Sequence, residues 1–145
     1  MKIVIAGAGE VGSHLAKMLS NESNNLTIID SNESRLNKLR EVADVITILG
    51  DPTSIETLRQ AGAEKADLFI AVSPAQDQDV NIISALLAKL LGIGDAVVAV
   101  VGGAQAGELF GVGHPVKVAA VQNGAAHLHA VAVHILGGGM GDDIR

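Results

Sequence analysis

Residues 2–12 read Lys2-Ile3-Val4-Ile5-Ala6-Gly7-Ala8-Gly9-Glu10-Val11-Gly12. A strand-length apolar run meets the spacing Gly-x-Gly-x-x-Gly, and the apolar residues that follow, Val11, Leu15, Met18 and Leu19, recur at helical intervals. The stretch predicts a buried strand over Lys2–Ala6, a tight glycine turn and a helix over Glu10–Leu19. In a chain with 17 glycines the spacing alone is a weak signal. Its flanks strengthen it. The next apolar run, Leu26–Ile29, ends on Asp30, 18 residues past Gly12. Strand, glycine turn, helix and an acidic residue closing the second strand are the context that a dinucleotide fingerprint requires.

Each part has a physical task. Gly7 allows the turn. Gly9 has no side chain, so a pyrophosphate can approach the backbone. Gly12 lets the helix pack close to the strand. Glu10, Val11 and Gly12 open the helix and present N–H groups to phosphates. Asp30 accepts hydrogen bonds from ribose hydroxyls and repels a 2′-phosphate. Ser31-Asn32 supplies no Arg beside it; Arg35, one turn into the next helix, can reach the ribose region, with a solvated helix residue as its plainer reading. NAD(H) or an adenine nucleotide is thereby favoured over NADP.

The rest of the chain repeats the alternation. Ser31 or Asn32 caps a helix to about Glu41. Val45–Leu49 is a third strand. Thr53, with Glu56 three residues on, caps a short helix. Leu68–Val72 is a fourth strand, Asp77–Leu91 a long helix and Ala96–Val101 a fifth strand. Gln105–Phe110 reads as a weak helix, Val116–Val121 as a sixth strand and Ala125–Leu136 as a last helix. Residues 137–145 read as a flexible tail to a domain over 1–136. Short connections and strands apolar throughout argue α/β architecture, a doubly wound parallel sheet with helices on both faces. Right-handed crossovers give the Rossmann-like order 3-2-1-4-5-6. In that order Gly50-Asp51 borders the adenine pocket, Ser73 faces the nicotinamide or terminal phosphate, and Asn81 points back to the same crevice. An ordinary turn at Gly50-Asp51 and a helix cap at Ser73 are the plainer readings.

Composition excludes other classes. With 145 residues and 48% apolar content the chain can build one core. It has no Cys, which excludes disulfides, thiolate metal sites and a Cys nucleophile. No Trp or Tyr, only two Phe and a net charge of −6 argue against nucleic acid. Nothing reads as a signal peptide or membrane span, so a cytoplasmic protein is expected. His127, His129 and His134 lack the i, i+4 pairing of a helical metal site, and no metal is expected. Residues 92–145 carry 6 charges and 12 Gly, against 20 and 5 before them.

The combination of residues 2–12, Asp30, Gly50-Asp51, Leu58-Arg59-Gln60-Ala61-Gly62-Ala63 and Ala66–Ser73 with Asn81 resembles the N-terminal nucleotide-binding (KTN or RCK N) domain of TrkA-type potassium uptake regulators. The resemblance is close over 1–93 and looser beyond. It implies a regulatory subunit rather than an enzyme. It also implies binding of NAD(H), ATP or ADP, a homodimer or higher ring, and control of a TrkH-like membrane potassium transporter from the inner face of the membrane. Related domains place an Arg at the position of Glu10, where it touches distal phosphates; Glu10 favours NAD(H) or a diphosphate. The apolar face of Ala125–Leu136 is expected to join subunits. The alternative is a minimal NAD-dependent oxidoreductase, disfavoured because no Tyr is present and no substrate domain is evident.

Overall fold

The computed structural model describes residues 1–74, 78–93, 95–101, 107–109 and 116–121. The elements run β1 (Lys2–Ala6), α1 (Glu10–Ser20), β2 (Asn25–Asp30), α2 (Glu33–Arg40), β3 (Ile46–Leu49), α3 (Ile55–Gln60), a 3-10 turn (Ala63–Lys65), β4 (Leu68–Ala71), α4 (Gln78–Leu90), β5 (Asp95–Val101), β6 (Gly107–Leu109) and β7 (Val116–Val121). They form one sheet in the order β3-β2-β1-β4-β5-β7-β6. Pairing is parallel from β3 through to β7.

The strands are apolar on both faces because both faces are covered. In β1, Ile3 and Ile5 pack with Leu15 and Leu19 of α1 and with Leu36 and Leu39 of α2. Val4 and Ala6 point the other way, towards Leu58 of α3 and Ala85 and Ala88 of α4. This alternation follows from the period-2 pleat, and it makes the sheet doubly wound, as the sequence predicts. The second layer is built largely of alanines around Phe69, which is fully buried. Small neighbours cannot close over a missing ring. Phe69→Ala should therefore cost about 3–5 kcal/mol of stability, measurable as a shift of the urea midpoint.

Two expectations need correction. The segment read as a weak helix over Gln105–Phe110 contains the strand β6, which pairs antiparallel with β7 through Gly107↔Val118 and Leu109↔Val116. The sheet thus has seven strands rather than six, and the predicted sixth strand is β7 beside β5. Glycine-rich flanks give a six-residue helix little intrinsic support, whereas the edge of β7 offers ready hydrogen-bond partners. The second correction is a cap. Ser54, not Thr53, is the N-cap of α3 and accepts from the N–H of Thr57 at 3.5 Å. Thr53 instead donates its hydroxyl to Asp51. Asn32 caps α2, accepting from the N–H of Arg35. The expected last helix and tail lie outside the described residues.

Candidate functional site

The glycine turn lies at the carboxyl ends of β1, β2 and β4, where a doubly wound sheet opens a crevice between its two layers. Gly7 has φ +118°, and a Cβ there would stand 2.7 Å from the backbone nitrogen of Ser73. A Cβ at Gly12 would overlap the carbonyl oxygen of Gly7. Both glycines are required by the backbone itself. Gly9 differs. Its φ is −73°, and the nearest atom to a Cβ, on the Pro74 side chain, lies 3.4 Å away. Among the described residues nothing forbids a side chain at Gly9, and its absence leaves space there over the N-terminus of α1. Among the described residues no side chain caps that terminus, so its first-turn N–H groups face the space in which a phosphate can lie.

Asp30 is 5% exposed and tightly held. Its Oδ2 accepts from the N–H of Ala8 at 2.7 Å, and its Oδ1 accepts from the N–H of Asn32 at 2.7 Å. Arg35 stands 3.7 Å from Oδ2 with its side chain 40% exposed. A carboxylate has about four acceptor directions. Two of them fasten the glycine turn to the β2–α2 turn, and the remainder can serve a ribose. The sequence reading missed this fastening role, because the N–H of Ala8 has no signature in the side-chain pattern.

The predicted residues divide by position. Gly7, Asp30, Ser31, Arg35, Asp51 and Ser73 line one crevice of about 290 Å³, together with Pro52, Pro74 and Val80. Gly9 and Glu10 line a neighbouring groove of about 430 Å³, with Ser13, His14 and Lys17 of α1, and Arg35 borders both spaces. His14 is half-buried there. Val11 packs against the core beneath. Gly50 is demanded by packing, since its Cβ would meet Thr57 at 2.8 Å, and its N–H donates to the carbonyl of Asp30. Asn81 is fully buried and does not line the crevice. Its Oδ1 accepts from the N–H of Ser73 at 2.7 Å and its Nδ2 donates to the Ser73 carbonyl at 3.1 Å. Asn81 is therefore a positioning residue that fixes the loop after β4.

At the carboxyl end of β3, Asp51 Oδ1 accepts from both the hydroxyl and the N–H of Thr53, at 2.7 and 2.8 Å. The hydroxyl contributes most, and the two bonds hold the Asp51 carboxyl below its ordinary value of 3.8. Such a depressed pKa adds stability above the unfolded value and loses it as pH falls through the folded one. Thr53→Val should raise the Asp51 pKa back towards 3.8, as read by a carboxyl NMR titration. Among the described residues no group of His, Asp and Glu side chains is placed to hold a metal.

Residues 3–114 match the family model of the TrkA-N domain. The chain belongs to the TrkA-N family. A Trk system potassium uptake protein TrkA homolog of Archaeoglobus fulgidus is 43% identical over 100 residues, which are 69% of this chain and 22% of that protein. A Pyrococcus abyssi TrkA homolog is 36% identical over 91 residues, 63% of this chain and 39% of that protein. The matched TrkA-N segment is thus a minor part of either relative's length. Among solved structures, the Shewanella denitrificans Kef CTD in AMP-bound form is similar at 26% identity and TM-score 0.55, over 68% of this chain and 58% of that one. The GsuK channel bound to NAD is similar in fold, at 20% identity and TM-score 0.59, over 68% of this chain and 18% of that one. The named TrkA relatives are Trk system potassium uptake proteins. Among the described residues, no helix is long and apolar enough to cross a membrane.

Proposed function

We propose that this TrkA-N domain binds NAD(H) or an adenine nucleotide such as ADP or ATP, and that the bound nucleotide controls a membrane potassium transporter. The observation that carries the reading is the open position at Gly9 over an uncapped helix N-terminus, one residue from the Ala8 N–H that Asp30 holds. Gly7, Gly9 and the first turn formed by Glu10, Val11 and Gly12 would receive the phosphates. Asp30 and Ser31 would face the ribose, with Arg35 beside them. Asp51 would border the adenine. Ser73, set by Asn81, would face the far end. Glu10 sets a negative charge beside the phosphates and favours NAD(H) or a diphosphate over a triphosphate.

The names of the TrkA relatives support the transport role, and the NAD- and AMP-bound structures support the class of ligand. A cytoplasmic, peripheral placement against a TrkH-like subunit follows from the same reading, as does a homodimer or ring, since a transporter senses a ligand through movement between subunits. The domain acts by binding and not by hydride transfer; the chain has no Tyr to form the Tyr–Lys pair of short-chain dehydrogenases. The test is potassium flux through a Trk-type transporter reconstituted in vesicles, with the chain added in the presence and absence of NADH. A nucleotide-dependent change in flux is expected. Unchanged flux, or steady oxidation of NADH with a panel of carbonyl compounds, would overturn the regulatory reading.

A further inference from the structure

The strand β3 carries the side chains of an internal strand in the position of an edge. It pairs with β2 alone among the described residues. Its sequence, Ile46-Thr47-Ile48-Leu49, has none of the Lys, Pro or inward charges that blunt natural edges. Successive side chains alternate between faces, so Ile46 and Leu49 lie on opposite faces of the sheet. Both are exposed, at 63% and 55%. Val42 before the strand is exposed as well. Ile48 packs on the core and Thr47 is partly buried, so the uncovered apolar surface is that of Ile46 and Leu49 at the two ends of an unpaired edge.

The charges around this edge select the neighbour. Residues 41–56 contain Glu41, Asp44, Asp51 and Glu56 and no Lys or Arg. All four carboxylates are exposed. Of the flanking cations, Arg59 pairs with Glu64 at 2.8 Å, while Arg40, hydrogen-bonded to the neutral Asn37, precedes Glu41 and offsets one of the four carboxylates at most. A second copy paired edge to edge would set these carboxylates against themselves. The chain's own residues 122–145 carry two Asp and one Arg and offer no positive strand. The complement is an extended segment that alternates Lys or Arg with apolar residues.

We propose that β3 is a docking edge, and that it takes a basic, apolar-alternating segment of a partner protein as an added strand. Cytoplasmic loops of membrane proteins are enriched in Lys and Arg, so the edge fits the transporter; that identification of the partner rests on the proposed function. Val42 and Ile46 lie outside the nucleotide crevice, so docking and nucleotide binding can be measured apart.

The test uses the full chain and three nine-residue peptides: alternating Lys and Val, alternating Glu and Val, and the Lys–Val peptide with alternate backbone nitrogens methylated. The Lys–Val peptide should shift the amide resonances of residues 46–49, and its binding should weaken as salt rises. The methylated and Glu–Val peptides should bind at least about tenfold more weakly, since one lacks ladder donors and the other carries the wrong charge. The V42K/I46K double variant should lose the Lys–Val peptide and keep its NADH affinity. Equal binding of the three peptides, no binding, or shifts confined to other strands would overturn the docking edge. So would a wild-type dimer in light scattering that the double variant dissociates, because the occupant would then be a second copy. Peptide docking without any nucleotide binding would leave the edge standing and remove the nucleotide reading; the converse would do the reverse.

Discussion

Gly9→Val is expected to abolish nucleotide binding while the domain still folds cooperatively, and Gly12→Val is expected to prevent folding. The two glycines lie three residues apart in one motif, and the structure separates their reasons. At Gly9 the backbone is in an ordinary region, and among the described residues a Cβ meets only the Pro74 side chain, at 3.4 Å. Valine there loses a favoured cap residue at a cost of about 1 kcal/mol. It also fills the space over the α1 N-terminus in which a pyrophosphate would lie. A loss of at least about a hundredfold in NADH affinity, near 2.7 kcal/mol, should follow. At Gly12 a side chain would run into the Gly7 carbonyl, which is itself held by the turn against Ser73. No rotamer relieves a clash of Cβ with backbone, and the cost should exceed about 4 kcal/mol. Urea unfolding and calorimetric titration on both variants check the pair. Intact nucleotide binding in Gly9→Val would remove the phosphate from this place.

Asp30→Asn should destabilise the domain as well as weaken NADH binding, and it should not create an NADPH site. The carboxylate accepts two backbone N–H groups, and it does so on different oxygens, Ala8 on Oδ2 and Asn32 on Oδ1. An asparagine has one acceptor oxygen. Whichever way the amide turns, either the buried N–H of Ala8 or the part-buried N–H of Asn32 then faces an NH₂ group; losing the first costs about 1–3 kcal/mol, and losing the second costs less because water reaches it. The glycine turn should loosen with it, lowering NADH affinity by about tenfold or more. A variant as stable as the wild type that gains NADPH affinity would mean that Asp30 serves the ribose alone.

The legible part of this protein was set by repetition. Strands such as Ile3–Ala6 and Leu68–Ala71 are apolar on both faces, and a strand buried on both faces must lie inside a covered sheet. That pattern, with short connections, fixes the order around β1. The glycine motif was legible because each glycine stands beside a recognisable strand or helix boundary. What the sequence hid depends on hydrogen bonds between segments distant in the chain. Asp30 reaches Ala8 across 22 residues, and Asn81 spends its amide on the Ser73 backbone rather than on the crevice. Gly50 needs its hydrogen because of Thr57, a neighbour known only once α3 is placed. The three-residue strand β6 was hidden for another reason. Three residues carry no period, and among the described residues it is their pairing with Val116–Val118 that marks them as a strand.

We propose the crevice at the carboxyl ends of β1, β2 and β4 as a nucleotide site whose ligand Asp30 selects. Calorimetric titration of the wild-type chain with NADH and then with NADPH tests it most directly. Saturable binding of NADH near one per chain is expected, with NADPH at least about tenfold weaker because its 2′-phosphate meets the Asp30 carboxylate. Equal affinity for the two dinucleotides, or no heat from NADH or AMP at millimolar concentration, would contradict it.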